Sequence, residues 1–154
     1  MTDSPAGSIP EIVQQLADRL LAKKLIVSTA ESCTGGLIAS QLTEHAGASA
    51  MFEAGFVTYS NAMKTEMLGL DEQLLIDHGA VSQPVVYAML AGACRHSGAD
   101  YGVAVSGIAG PDGGTVDKPV GTVWIAWGHK NAIKTQKLCL SGRRKWFQTM
   151  VTAI

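Results

Sequence analysis

Leu25-Ile26-Val27-Ser28-Thr29-Ala30-Glu31-Ser32-Cys33-Thr34-Gly35-Gly36 is the stretch on which the fold turns. Its apolar beginning, residues 25–29, predicts a short buried strand, and residues 37–44 predict a helix ending near Gly47. A strand that enters a helix brings side chains and free backbone N–H groups to the edge of a sheet. The helix dipole favours negative charge there, so a phosphate or a developing oxyanion would be stabilised. Ser32 or Thr34 at such a turn is placed to attack a carbonyl carbon, and Gly35 and Gly36 let a ligand approach the backbone. The plain alternative is a helix cap with permissive glycines. The segment is neither a Walker A loop, because no Gly-Lys-Ser/Thr follows, nor a G-x-S-x-G elbow.

Working outward, Ser8-Ile9-Pro10-Glu11 fits a capping box, and Ile9, Ile12, Val13, Leu16, Leu20 and Leu21 predict an amphipathic helix over 9–23. Residues 52–59 read as a strand. Helices are predicted over 61–67, stopped by Gly69, and over 71–78, closed by Gly79. Ser82 and Pro84 open a helix reaching Ser97. Residues 101–106 form a further strand, and 121–127 with 132–140 an antiparallel hairpin around Gly128-His129-Lys130-Asn131. Trp124 and Trp127, an odd number of positions apart, point to opposite faces. A last helix begins near Gly142. The hairpin argues against an all-parallel sheet, so the expected architecture is a mixed sheet covered by helices on both faces. Residues 1–8 are expected to be a flexible tail and 9–154 a single domain.

Bulk properties narrow the function. Of 154 residues, 47% are apolar and 16% charged, a globular composition. Twelve Lys+Arg against thirteen Asp+Glu give a net charge of -1 and no general basic face, so no nucleic-acid partner is expected. The apolar runs are too short for a membrane span. The start, MTDSPAGS, lacks the basic and apolar regions of a signal peptide, which predicts a cytoplasmic protein. Cys33, Cys94 and Cys139 are scattered, and His45, His78, His96 and His129 lack ligand spacing, so neither a metal nor a disulfide framework is expected. Cys33, beside Ser32, is a rival nucleophile.

Two more segments can carry chemistry. Thr58-Tyr59-Ser60-Asn61-Ala62-Met63-Lys64 places a phenol, a hydroxyl, an amide and a lysine around a strand-to-helix turn. Lys64 can serve as a general base only if burial or a nearby cation lowers its pKa from about 10.4 toward about 7–8. Otherwise it is a solvated helix lysine. Gly107-Ile108-Ala109-Gly110-Pro111-Asp112-Gly113-Gly114 follows a strand directly. It reads equally well as a loop hugging a ligand or a neighbouring subunit and as a permissive turn. Asp112 can orient a base or bind a sugar hydroxyl.

Residues 30–36, residues 55–61 with Lys64, His78-Gly79-Ala80-Val81-Ser82, residues 105–114 and Lys118-Pro119-Val120-Gly121-Thr122-Val123 together resemble the CinA C-terminal domain family, over about residues 10–142. The resemblance is to its standalone form, without the molybdopterin-binding-like domain of full-length members. It implies a three-layer α/β/α sandwich and a homo-oligomer. It also implies an amidohydrolase that converts nicotinamide mononucleotide to nicotinic acid mononucleotide and ammonia in NAD salvage, without metal or cofactor. Ser32 aligns with the family's proposed nucleophile, and Tyr59 and Lys64 align with its tyrosine and lysine. Thr34, Gly35, Gly36, Ser60, Asn61, Gly107, Gly110, Asp112 and Arg144 are the candidate substrate-binding residues. The stretch Gly142-Arg143-Arg144-Lys145-Trp146 departs from the family's Gly, small or acidic residue, Arg, and predicts a shortened last helix. The alternative to an enzyme is a non-catalytic partner-binding module linked to competence or the DNA-damage response.

Overall fold

A computed structural model describes residues 8–141. The chain runs α1 (Ile9–Lys23), β1 (Val27–Glu31), α2 (Leu37–Thr43), a short 3-10 turn (Ala48–Ala50), β2 (Phe52–Val57), α3 (Asn61–Leu68), α4 (Glu72–His78), α5 (Gln83–Ser97), β3 (Tyr101–Gly107), β4 (Thr122–His129) and β5 (Ala132–Cys139). One sheet has the order β2-β1-β3-β4-β5. β2, β1 and β3 are parallel, and β3-β4-β5 is antiparallel. The mixed sheet is therefore as the sequence predicts.

Helices cover both faces. On one, α5 packs Val85, Val86, Met89, Leu90 and Ala93 against Ala30, Ala104 and Ala126, with Trp124 beside them. On the other, Val13, Ala17 and Leu20 of α1 and Leu42 of α2 meet Val27 and Met51. Trp127 faces this second side, so the two tryptophans do part as their spacing requires. The capping box of α1 forms: the Ser8 Oγ accepts from the Glu11 N–H, and the Glu11 carboxylate accepts from the Ser8 N–H.

The boundaries differ from expectation in two informative places. β1 lies two residues later than residues 25–29. Lys24 takes a left-handed conformation and closes α1, and the Leu25 N–H still donates to the Leu20 carbonyl. The Ile26 N–H is then taken by the Asp100 carboxylate. The sheet ladder starts only at Val27 and continues through Glu31, so the polar residues Ser28, Thr29 and Glu31 are strand residues, fully buried. Ser82 occupies the N-cap position of α5, but its hydroxyl donates to the Gly79 carbonyl instead of capping. The expected last helix lies outside the described residues.

α3 approaches α5 closely at one point. A Cβ on Gly92 would overlap the Leu68 carbonyl oxygen at the end of α3. That same carbonyl accepts from Arg95 Nη2 at 3.0 Å. Gly92 costs α5 about 1 kcal/mol in helix propensity relative to Ala, yet the approach it permits fixes where α3 lies. Gly92→Ala is therefore expected to lower stability by about 1–3 kcal/mol through overpacking, against the propensity gain. Urea unfolding of the two proteins measures the sign.

Candidate active site

β1 is central in its half of the sheet, and its end is pinned on both sides. The Ser32 N–H donates to the Val105 carbonyl at 3.1 Å, and the Thr58 N–H donates to the Glu31 carbonyl at 2.9 Å. From β1 the chain passes through α2 to β2 on one side, and later returns through α5 to β3 on the other. Such a reversal leaves a crevice outside the carboxyl ends of the strands, where open α/β sheets bind their ligands. Ser32 follows the carboxyl end of β1 at this place and is largely dry, 8% exposed.

Lys64 comes to it from α3. The Ser60 hydroxyl accepts from the Met63 N–H and starts the helix. Lys64 is the fourth helical residue, and its side chain folds back beneath the turn. It is 1% exposed. Its Nζ lies 3.2 Å from Ser32 Oγ, 2.8 Å from the Thr58 carbonyl oxygen and 3.1 Å from the Tyr59 carbonyl oxygen. Burial lowers its pKa from 10.5 to about 8, with Cys33 pulling the other way. A neutral amine has two N–H donors and one lone pair. Two carbonyls take the donors, and the lone pair is left for the Ser32 O–H. The arrangement can therefore remove a proton from Ser32 without an intermediary.

The remaining candidates fall out differently. Tyr59 meets Lys64 through its carbonyl, while the residue as a whole is 60% exposed. The Thr34 hydroxyl is buried and donates to Glu31. Gly35 and Gly36 both have positive φ and shape the turn. Cys33 points among Val105, Ala109, Val123 and Leu140 and is more deeply buried than Ser32. Asn61 opens α3 and Asp112 lies exposed on the glycine-rich loop. In that loop a Cβ on Gly110 or Gly114 would press on Val120, and one on Gly107 on Val123. Arg144 lies outside the described residues.

Glu31 is the site residue that sequence reasoning passed over. Its fully buried carboxylate accepts from the Thr34 hydroxyl at 2.6 Å and from the Ile38 and Ala39 N–H groups at 2.9 and 3.0 Å. The first-turn donors of α2 are thus partly spent on the protein's own anion. The available signal was an acid inside a buried strand, three residues before a threonine.

An apolar groove of about 560 Å³ lies between α1, α2 and β3–β5, lined in part by Leu16, Ile38, Ile125 and Trp127. It contains neither Ser32 nor Lys64 and belongs to the opposite side of the molecule from α3. Among the described residues, no cluster of His, Cys, Asp or Glu suited to a metal ion forms, and no helix is long and apolar enough to cross a membrane.

A serine within hydrogen-bond reach of a buried lysine at the carboxyl edge of an α/β sheet is a pairing suited to acyl transfer. The chain belongs to the CinA C-terminal domain family, whose model matches residues 10–154. It is 49% identical to the nicotinamide-nucleotide amidohydrolase PncC of Escherichia coli K12, over 99% of this chain and 92% of that protein. It is 56% identical to a CinA-like protein of Colwellia psychrerythraea, over 93% of this chain but only 33% of that longer protein. The crystal structure of the competence/damage inducible protein CihA from Agrobacterium tumefaciens superimposes with a TM-score of 0.92 at 41% identity, covering 99% of this chain and 93% of that one. The three-layer α/β/α sandwich is therefore the fold of this chain.

The lowered pKa of Lys64 makes a stability prediction. Between about 8 and 10.5 the unfolded chain binds one more proton than the folded one. Stability then rises with pH across that window. The difference in unfolding free energy between the wild type and Lys64→Met is expected to grow in favour of the wild type from pH 8 to pH 10. Urea titrations at several pH values read it.

Proposed function

We propose that this chain hydrolyses the carboxamide of nicotinamide mononucleotide, giving nicotinic acid mononucleotide and ammonia. The observation that carries the chemistry is the buried Lys64 Nζ 3.2 Å from Ser32 Oγ, with two carbonyls on its other side. The substrate class is supported by the name of the E. coli relative, of which this chain spans 92%.

In this reading Lys64 takes the Ser32 proton as the serine oxygen bonds to the amide carbon. The oxygen of the amide becomes an oxyanion, held by N–H groups of the 34–36 turn; one such donor is worth about 2.7–4 kcal/mol of barrier. The C–N bond breaks, Lys64 returns its proton to the nitrogen, and ammonia leaves. Water then attacks the acyl-serine carbon and gives a proton to Lys64; as the bond to Ser32 breaks, Lys64 passes that proton to the serine oxygen, and nicotinic acid mononucleotide leaves. Tyr59 acts through its carbonyl, and its phenol need not relay the proton. Ser60, Asn61, Gly107, Gly110, Asp112 and Arg144 are the proposed substrate-binding residues. The same reading makes the protein a cytoplasmic homo-oligomer in pyridine nucleotide salvage.

Ser32→Ala is expected to abolish ammonia release from nicotinamide mononucleotide while the protein stays folded. A folded mutant with full activity removes Ser32 from the mechanism, and an inactive wild type favours the partner-binding alternative. Lys64→Met is expected to lower kcat far more than it raises KM; a rise in KM alone would make Lys64 a binding residue. With a base of pKa about 8, kcat/KM should climb roughly tenfold per pH unit below that value and level above it.

A further inference from the structure

The Gly36 N-cap of α2 provides no side-chain cap, and the capping duty falls to Glu31, a residue of the preceding strand. A serine or aspartate at the cap position would satisfy a helix end without taking a carboxylate out of water. The arrangement found here does something such a cap cannot. Glu31 is held in the sheet by the Thr58 N–H, and its side chain reaches across the turn to Thr34, Ile38 and Ala39. One residue thus joins both ends of the segment that contains Ser32. Within that segment the Gly35 N–H donates to the Ser32 carbonyl at 3.1 Å and the Leu37 N–H to the Thr34 carbonyl at 3.2 Å. Among the described residues, the N–H groups of Thr34 and Gly36 donate to no backbone carbonyl.

We propose that Glu31 is a positioning residue for acyl transfer, fixing the Ser32 hydroxyl against Lys64 and against the Thr34 and Gly36 N–H donors. The proposal rests on the hydrolytic reading above. It assigns Glu31 no contact with substrate. A glutamine in its place keeps the shape and one acceptor oxygen, but presents an amide N–H₂ to the Ala39 N–H, donor against donor. The turn must then shift, and with it the angle at which Ser32 meets a carbonyl carbon. A small misplacement of this kind can cost about 100-fold in rate.

The test compares the full-length wild type with Glu31→Gln and Glu31→Ala. Ammonia release from nicotinamide mononucleotide is measured across pH, with activity normalised to the folded fraction. For Glu31→Gln the expected result is a fall in kcat of about 100-fold with KM nearly unchanged and the pH midpoint unmoved, because burial and Cys33, not Glu31, set the Lys64 pKa. In Glu31→Ala, formate is expected to restore part of kcat, and formamide is not. Wild-type kcat per folded molecule in both variants would overturn the proposal, as would a rise in KM alone or a displaced pH midpoint.

A second readout separates this inference from the choice of substrate. In p-nitrophenyl acetate the Ser32 oxygen takes the acetyl group, Lys64 takes the serine proton, and p-nitrophenolate leaves. Acetylation at Ser32 is followed by mass spectrometry. Labelling of the wild type with much slower labelling of Glu31→Gln supports the positioning role even if nicotinamide mononucleotide is not the substrate. Equal labelling rates refute it, and no labelling of the wild type refutes both readings.

Discussion

The constraint on which the proposed chemistry depends is a lysine held out of water with, among the described residues, no carboxylate bonded to it. A buried ammonium is costly, and the usual responses are ion pairing or loss of the proton. The partners of Lys64 are one hydroxyl and two carbonyl oxygens. Carbonyls accept hydrogen bonds from either protonation state, so they hold the amine in place whether or not it is charged. Of these three partners, the hydroxyl is the one that can donate to the neutral amine. Burial lowers the pKa of the lysine toward that of a base, and in the proposed mechanism the hydrogen-bond pattern sets the Ser32 oxygen as the atom from which it takes a proton.

Holding that amine requires agreement between distant parts of the fold. α3 must lie close to the carboxyl edge of the sheet, and the contact of Leu68 with Gly92 and Arg95 sets its far end. β1 must end at a defined place, and the bonds to Val105 and Thr58 set that. The two polar systems of the crevice are built separately. Lys64 is served by the carbonyls of 58 and 59, and Glu31 by donors from the 34–39 segment. Acid and amine each find partners on their own side, so neither neutralises the other by direct contact.

The glycine-rich segments show how a sequence signal can point to a place and not to a role. Gly35 and Gly36 sit at positive φ in the turn that bears Ser32. Gly110 and Gly114 are approached closely by Val120 of the same chain. Both segments read alike in the sequence, because an absent Cβ serves any close neighbour. Ser60 likewise combines a position in the site segment with the ordinary work of capping α3.

The sequence by itself determined the local elements, the mixed sheet and the turn that carries Ser32. Those follow from short-range periods, caps and the hairpin pattern, which act over a few residues. It also marked Lys64, but left open whether that amine is a solvated helix lysine or a base. Only the tertiary structure brought Lys64 to Ser32 across 32 positions and dried the space between them. Only it gave Glu31 its part, because a carboxylate on a strand is an anomaly in sequence and becomes a clamp once the next helix folds back over it. Distance in the chain carries no pKa; that property is made by the water a folded protein excludes.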